Sequence, residues 1–171
     1  MKSRLSGQAR KRATIVLGMV IGVLWTLMVL GPGRDAFIPL TVGLTLGEAL
    51  IGAGFLGGTL LAAMVIRVGL RRFLSRDFMD GEPFPVVHPG AVDVRVLSNT
   101  TEQAVLAALI WPAAGLVHGP ATVLALACGF AVARLLFWAG YHYWGWLRAT
   151  AFAMTLYPTV GAGVWAAIGL N

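Results

Sequence analysis

Three polar residues, Arg95, Asn99 and Glu102, stand at the head of a long apolar run in RVLSNTTEQAVLAALIWPAAG. On an α-helix they fall at i, i+4 and i+7, on one stripe of a single face. A guanidinium offers carboxylates a rigid two-pronged fork, a carboxylate receives cations, and an amide both donates and accepts hydrogen bonds. A second set, Arg134, Tyr141 and Arg148, recurs at intervals of seven in ARLLFWAGYHYWGWLR. Within the membrane such groups are costly unless paired, and pairing of Glu102 with Arg134, bridged by Asn99, would account for two or three of them. It leaves Arg95 and Arg148 over, with Arg67, Arg71 and Arg72 arriving from an earlier helix end. Excess guanidinium groups beside one carboxylate call for an anionic ligand.

These residues have to be positioned by membrane helices. The chain has 171 residues, 58% of them hydrophobic and 12% charged, with a mean hydropathy of +0.80. That composition lies outside the range of soluble domains and indicates an all-α integral membrane protein. A first transmembrane helix is expected over 13–31, where residues 13–30 carry no charge and span roughly 27 Å. It is expected to be retained and not cleaved as a secretory leader, because its apolar run is long and no small-x-small site follows. The second apolar block covers 36–66, with its membrane core near 44–66. Residues 103–133 run without a formal charge and are broken by the turn signal HGP at 118–120, which divides them into two antiparallel spans. A fifth span covers roughly 149–170. The short turn places the start of the third span beside the end of the fourth, so both polar sets meet at one depth.

The net charge of +6 and pI near 10.5 report orientation and not a nucleic-acid partner. With the N-terminus cytoplasmic, the basic tail 1–12, Arg67, Arg71, Arg72, Arg76, Arg95, Arg134 and Arg148 fall on or near the cytoplasmic side, leaving Arg34 outside. The C-terminus is then periplasmic. The hydrophilic loop 68–94 is cytoplasmic, with Pro83, Pro85 and Pro89 opposing a continuous helix. Cys128 is alone, and His88, His118 and His142 lie on separate connections without ligand spacing, so no metal is expected. Gly18-x3-Gly22 and Gly54-x3-Gly58 are read as close helix packing. Glu48 is read as reaching the interface from its span end.

Taken together, Arg-x3-Asn-x2-Glu and Arg-x6-Tyr-x6-Arg resemble the signature of the MAPEG family, the membrane-associated proteins in eicosanoid and glutathione metabolism. The resemblance covers roughly residues 44–170. It implies a four-helix domain over that range, with the span at 13–31 an addition, assembled as a homotrimer with glutathione in a cytoplasmic-side pocket between subunits. Carried over by position, Arg95 would hold a carboxylate of glutathione, Glu102 its amino group and Asn99 a further polar group. Arg134 would be a ligand contact or the partner of Glu102, Tyr141 would touch the tripeptide, and Arg148 would stabilise the thiolate. Arg67, Arg71 and Arg72 are possible additional contacts. Phe137 stands where some members have Tyr. The implied function is a glutathione-dependent transferase or peroxidase of a bacterial inner membrane, acting on lipophilic electrophiles or lipid hydroperoxides. The alternative is a non-catalytic lipid-binding scaffold of the same fold.

Overall fold

Gly119 turns the chain at φ +86°, a conformation that favours glycine, between two long antiparallel helices, α4 (Pro89–His118) and α5 (Pro120–His142). The computed structural model describes residues 2–170, without the side chains of residues 2–7 and 9–11. Lys2, Arg4, Arg10 and Lys11 of the basic tail therefore lie outside the described side chains. The other helices are α1 (Lys2–Met28), α2 (Arg34–Phe37), α3 (Leu46–Phe73) and α6 (Gly145–Gly169). Among the described residues five helical stretches are long and apolar enough to cross a membrane: Arg12–Phe37, α3, α4, α5 and α6. This is an integral membrane protein.

The first stretch is longer than the uncharged run at its centre. Its backbone is helical from residue 2 and breaks only at Gly31, where φ −100° and ψ −105° leave the helical region beside Pro32, which has no N–H to donate. The start of α3 is set by a capping box. The Thr45 hydroxyl accepts from the Glu48 N–H at 3.2 Å, and the Glu48 carboxylate accepts from the Thr45 N–H at 2.8 Å. Glu48 is thus tied to its own helix end. At the far end α3 runs on to Phe73 and α4 begins at Pro89, so irregular chain is confined to the stretch around 74–88. Pro89 occupies the first turn of α4, where a missing N–H is harmless. The intervening loop folds back on itself, with Phe84 and His88 stacked at 4.9 Å and Phe78 packed 4.9 Å from Phe84.

Helices α3 to α6 form the bundle, and α1 lies along α6. Residues Ala49, Ala114, Val123 and Ala162 are fully buried, and such small side chains let the backbones approach. Gly18 and Gly22 do the same between α1 and α6, since a Cβ on Gly22 would lie 2.6 Å from that of Ala153. The second glycine pair behaves differently. Gly54 and Gly58 have nothing within 4 Å, because their face of α3 lines an open groove. Ile51, Phe55, Leu109 and Leu116, between 72% and 77% exposed, form part of the apolar outer surface.

Candidate functional site

The largest fully buried side chain is that of Arg134, two turns before the end of α5 and 0% exposed. Its guanidinium donates to Asn99 Oδ1 at 2.9 Å and, through Nε at 3.0 Å and again through Nη2, to Thr155 Oγ1 on α6. The Thr155 hydroxyl in turn donates a hydrogen bond to the Ala151 carbonyl at 2.9 Å. The ring of Phe137 covers the guanidinium at 4.3 Å, with Phe130 at 5.8 Å. No ion pair reaches Arg134 among the described residues. The expected pairing with Glu102 is replaced by a hydrogen bond to Asn99. The reason is rotational: Glu102 lies three residues beyond Asn99, about 60° around the helix. That turn carries it from the flank facing α5 to the exposed face, where its nearest partner is the Ser98 hydroxyl at 3.4 Å.

Arg95 and Glu102 are both exposed on α4, and Asn99 between them is half-buried. Arg95 makes no hydrogen bond or ion pair among the described residues. Because Arg134 occupies Asn99 Oδ1, the Asn99 amide N–H groups remain for a molecule on the open face.

The end of α5 carries the rest. Its last turn is pressed against the start of α6 so closely that a Cβ on Gly140 would lie 2.6 Å from the Arg148 backbone nitrogen. This crossing seats the Arg148 guanidinium over the Tyr141 ring at 4.9 Å, and Tyr141 meets Phe137 edge-on at 5.0 Å. Arg148 is exposed and has no carboxylate partner among the described residues. Asn99, Arg134, Phe137, Tyr141 and Arg148 thus form one unbroken series of contacts. Phe137 is 3% exposed, so the hydroxyl that it lacks would have pointed into protein.

Arg67, Arg71 and Arg72 belong to a separate arrangement. Asp93, 2% exposed on α4, receives Arg67 Nε at 3.0 Å, Arg71 Nε and His142 Nε2 at 2.8 Å. Arg72 packs over Phe84 at 5.6 Å. Sequence spacing had balanced the arginines against Glu102 alone and overlooked Asp93. The available signal was that Asp93 precedes Arg95 by two residues and so lies on the other side of α4, toward α3. Thr155 was also overlooked, since a threonine in an apolar span usually bonds back to its own helix; here it does that and accepts from Arg134 as well.

Beside the polar stripe an apolar groove of about 400 Å³ runs between α3 and α4, lined by Gly54, Gly57, Gly58, Ala104, Ala108 and Trp111 among others. Ala104 lies two residues beyond Glu102, so groove and stripe share one helix.

The sequence model of the MAPEG family matches residues 49–168, which takes in every residue of both polar sets. No curated protein and no solved structure matches the chain.

Proposed function

The chain belongs to the MAPEG family, and from that premise we propose that it is a glutathione-dependent transferase or peroxidase acting on lipophilic electrophiles or lipid hydroperoxides. The observation that carries this reading is the set of three guanidinium groups, Arg95, Arg134 and Arg148, that share the stripe and contact series with no carboxylate among the described residues bound to any of them. Arg134 is the most telling. A cation buried among neutral partners is costly unless further negative charge approaches. Glutathione brings two carboxylates, one ammonium and a thiol, a complement to Arg95, Asn99 and Glu102. Arg95 would receive a carboxylate through its fork, Glu102 the ammonium, and the Asn99 N–H groups a further oxygen.

Arg134 acts through Asn99 in this scheme and does not touch the ligand, so it is a positioning residue. Tyr141 would flank the tripeptide and orient Arg148. Arg148 would face the sulfur. A thiol with a pKa near 8.5 is only a few per cent thiolate at neutral pH, and each unit of lowering takes about 1.4 kcal/mol of differential stabilisation. A guanidinium close to the sulfur in a partly dry site supplies interactions of that size. In conjugation the thiolate forms a carbon–sulfur bond and the electrophile's leaving group departs with the bonding pair. In peroxide reduction the thiolate takes the terminal oxygen, releasing the alcohol, and a second glutathione then yields the disulfide and water. The apolar groove would admit the second substrate sideways from the bilayer.

Exposed Arg95 and Glu102 at the head of an apolar run are more at ease against a neighbouring subunit than against lipid, which supports a homotrimer with the site between protomers. The charge asymmetry supports an orientation with the N-terminus cytoplasmic and the C-terminus on the opposite side, periplasmic if the membrane is a bacterial inner membrane. Calorimetric titration of the detergent-solubilised protein with glutathione tests the reading. Saturable binding is expected, weakened about tenfold or more by Asn99→Ala and by Glu102→Gln, since hydrogen bonds to charged groups are worth about 1.5–3 kcal/mol. Absence of saturable binding would turn the assignment to a lipid-binding scaffold, which the predominantly apolar groove lining favours.

A further inference from the structure

A second groove, of about 520 Å³, lies on a different flank of the bundle, between α3 and α5. Ala63, Ile66 and Leu70 of α3 and Trp138 of α5 give it an apolar wall, and Arg67 and Arg71 stand within it toward the end of α3. The charge there does not balance. Asp93 supplies one carboxylate against two guanidinium groups, and it is shared with His142. Both arginines reach Asp93 through Nε, so the remaining N–H donors of each fork are left for another acceptor. Nor are the arginines sealed in, for Arg67 is 42% and Arg71 29% exposed, whereas Asp93 is 2% exposed. Arg67 is also held over the Trp138 ring at 5.4 Å, an indole placed as at a membrane interface.

The groove therefore joins an apolar trough, set in the outer surface of the bundle, to a net positive charge at the end of a membrane-spanning helix. We propose that it binds an anionic phospholipid, with the phosphate on Arg67 and Arg71 and an acyl chain along Ala63, Ile66 and Leu70 against Trp138. Each part of the ligand has a counterpart. A zwitterionic lipid would bring a second cation to a site that already has one in excess, and a soluble anion would leave the apolar wall uncovered. Basic pockets between membrane helices recognise anionic headgroups on these grounds. Because Asp93 ties α3 to α4 and to the last residue of α5, the lipid would seat itself on the junction that holds the loop end of the bundle together. This inference is independent of the glutathione reading, since none of its residues belongs to the stripe or to the Arg148 series.

The test uses the full chain, delipidated in mild non-ionic detergent and titrated with dioleoylphosphatidylglycerol or dioleoylphosphatidylcholine under native mass spectrometry, with glycerol 3-phosphate as a chainless competitor. One phosphatidylglycerol per chain is expected to survive activation that strips phosphatidylcholine, and glycerol 3-phosphate is expected not to displace it. Arg67→Gln and Arg71→Gln should each weaken the preference about fivefold. Either variant could disturb the Asp93 cluster, so Ala63→Phe provides the second arm. It fills the trough, leaves every ion pair in place, and should abolish retention while circular dichroism and glutathione titration stay unchanged. Equal retention of both lipids, or a preference that survives Ala63→Phe, would overturn the proposal. So would efficient crosslinking between chains through Ala63→Cys, which would assign the groove to a second copy.

Discussion

Replacing Arg134 with Met separates a structural role from a positioning one. The guanidinium is 0% exposed, and its partners are all neutral: Asn99, Thr155 and the ring of Phe137. Burying the ion costs several kcal/mol. Two charge-assisted hydrogen-bonding partners return about 1.5–3 kcal/mol each, and the ring contact about 2 kcal/mol. These opposing contributions are of similar size, so a side chain of similar length without the charge should leave stability within about 1 kcal/mol. Thr155 keeps its bond to the Ala151 carbonyl, and Asn99, being half-buried, can find water. Binding should respond otherwise. Asn99 loses the donor that fixes its amide and the site loses its uncompensated cation, so glutathione affinity should fall about 10–100-fold, corresponding to the single hydrogen bond at risk. Thermal unfolding and calorimetric titration of the same detergent preparation measure both quantities. Arg134→Lys should behave like Met in binding, because an ammonium cannot bridge Asn99 and Thr155 as the fork does. Marked destabilisation of Arg134→Met with unchanged glutathione affinity would refute the positioning role.

Asp93→Asn should lower the melting temperature by about 4–8 °C, from a loss of about 2 kcal/mol. The figure lies below the 3–5 kcal/mol typical of a broken buried pair because Arg67 and Arg71 are partly exposed; an unchanged melting temperature would show the cluster to be incidental. Gly22→Leu should push α1 off α6, where Ala153 leaves no room, at a cost of about 1–3 kcal/mol. Glutathione affinity should stay within about twofold, and a larger loss would draw α1 into the site. Gly54→Ala, by contrast, adds a Cβ with open space around it, so any loss of stability or oligomer mass in that variant would place a neighbouring chain or ligand at the α3–α4 groove.

The elements that carry the site were legible because hydropathy and turn chemistry act over long windows. The HGP turn alone places Asn99 and Arg134 at one depth, and they meet at 2.9 Å. What escaped was decided by finer rotation. About 60° separates Asn99 from Glu102, too little for a stripe argument to resolve, and that difference decides which of them Arg134 touches. Asp93 escaped because its partners come from α3 and α5: its spacing from Arg95 puts it on the other side of α4 but does not name what it meets there. The same limit applies to the glycine pairs: Gly18-x3-Gly22 and Gly54-x3-Gly58 are alike in sequence, yet α6 covers one and open space faces the other. The added helix was recognised by its uncharged core, while its extension back to residue 2 and the break at Gly31 beside Pro32 depended on backbone geometry.

The most direct measurement is the ultraviolet difference spectrum of the solubilised protein titrated with glutathione across pH, following the thiolate band at about 240 nm. A saturable band at neutral pH is expected, lost in Arg148→Ala, with glutathione affinity in that variant held within about tenfold by the contacts of Arg95, Asn99 and Glu102. Glutathione bound without a thiolate band, or a band that persists in Arg148→Ala, would contradict the assignment of Arg148 as the residue that activates the sulfur.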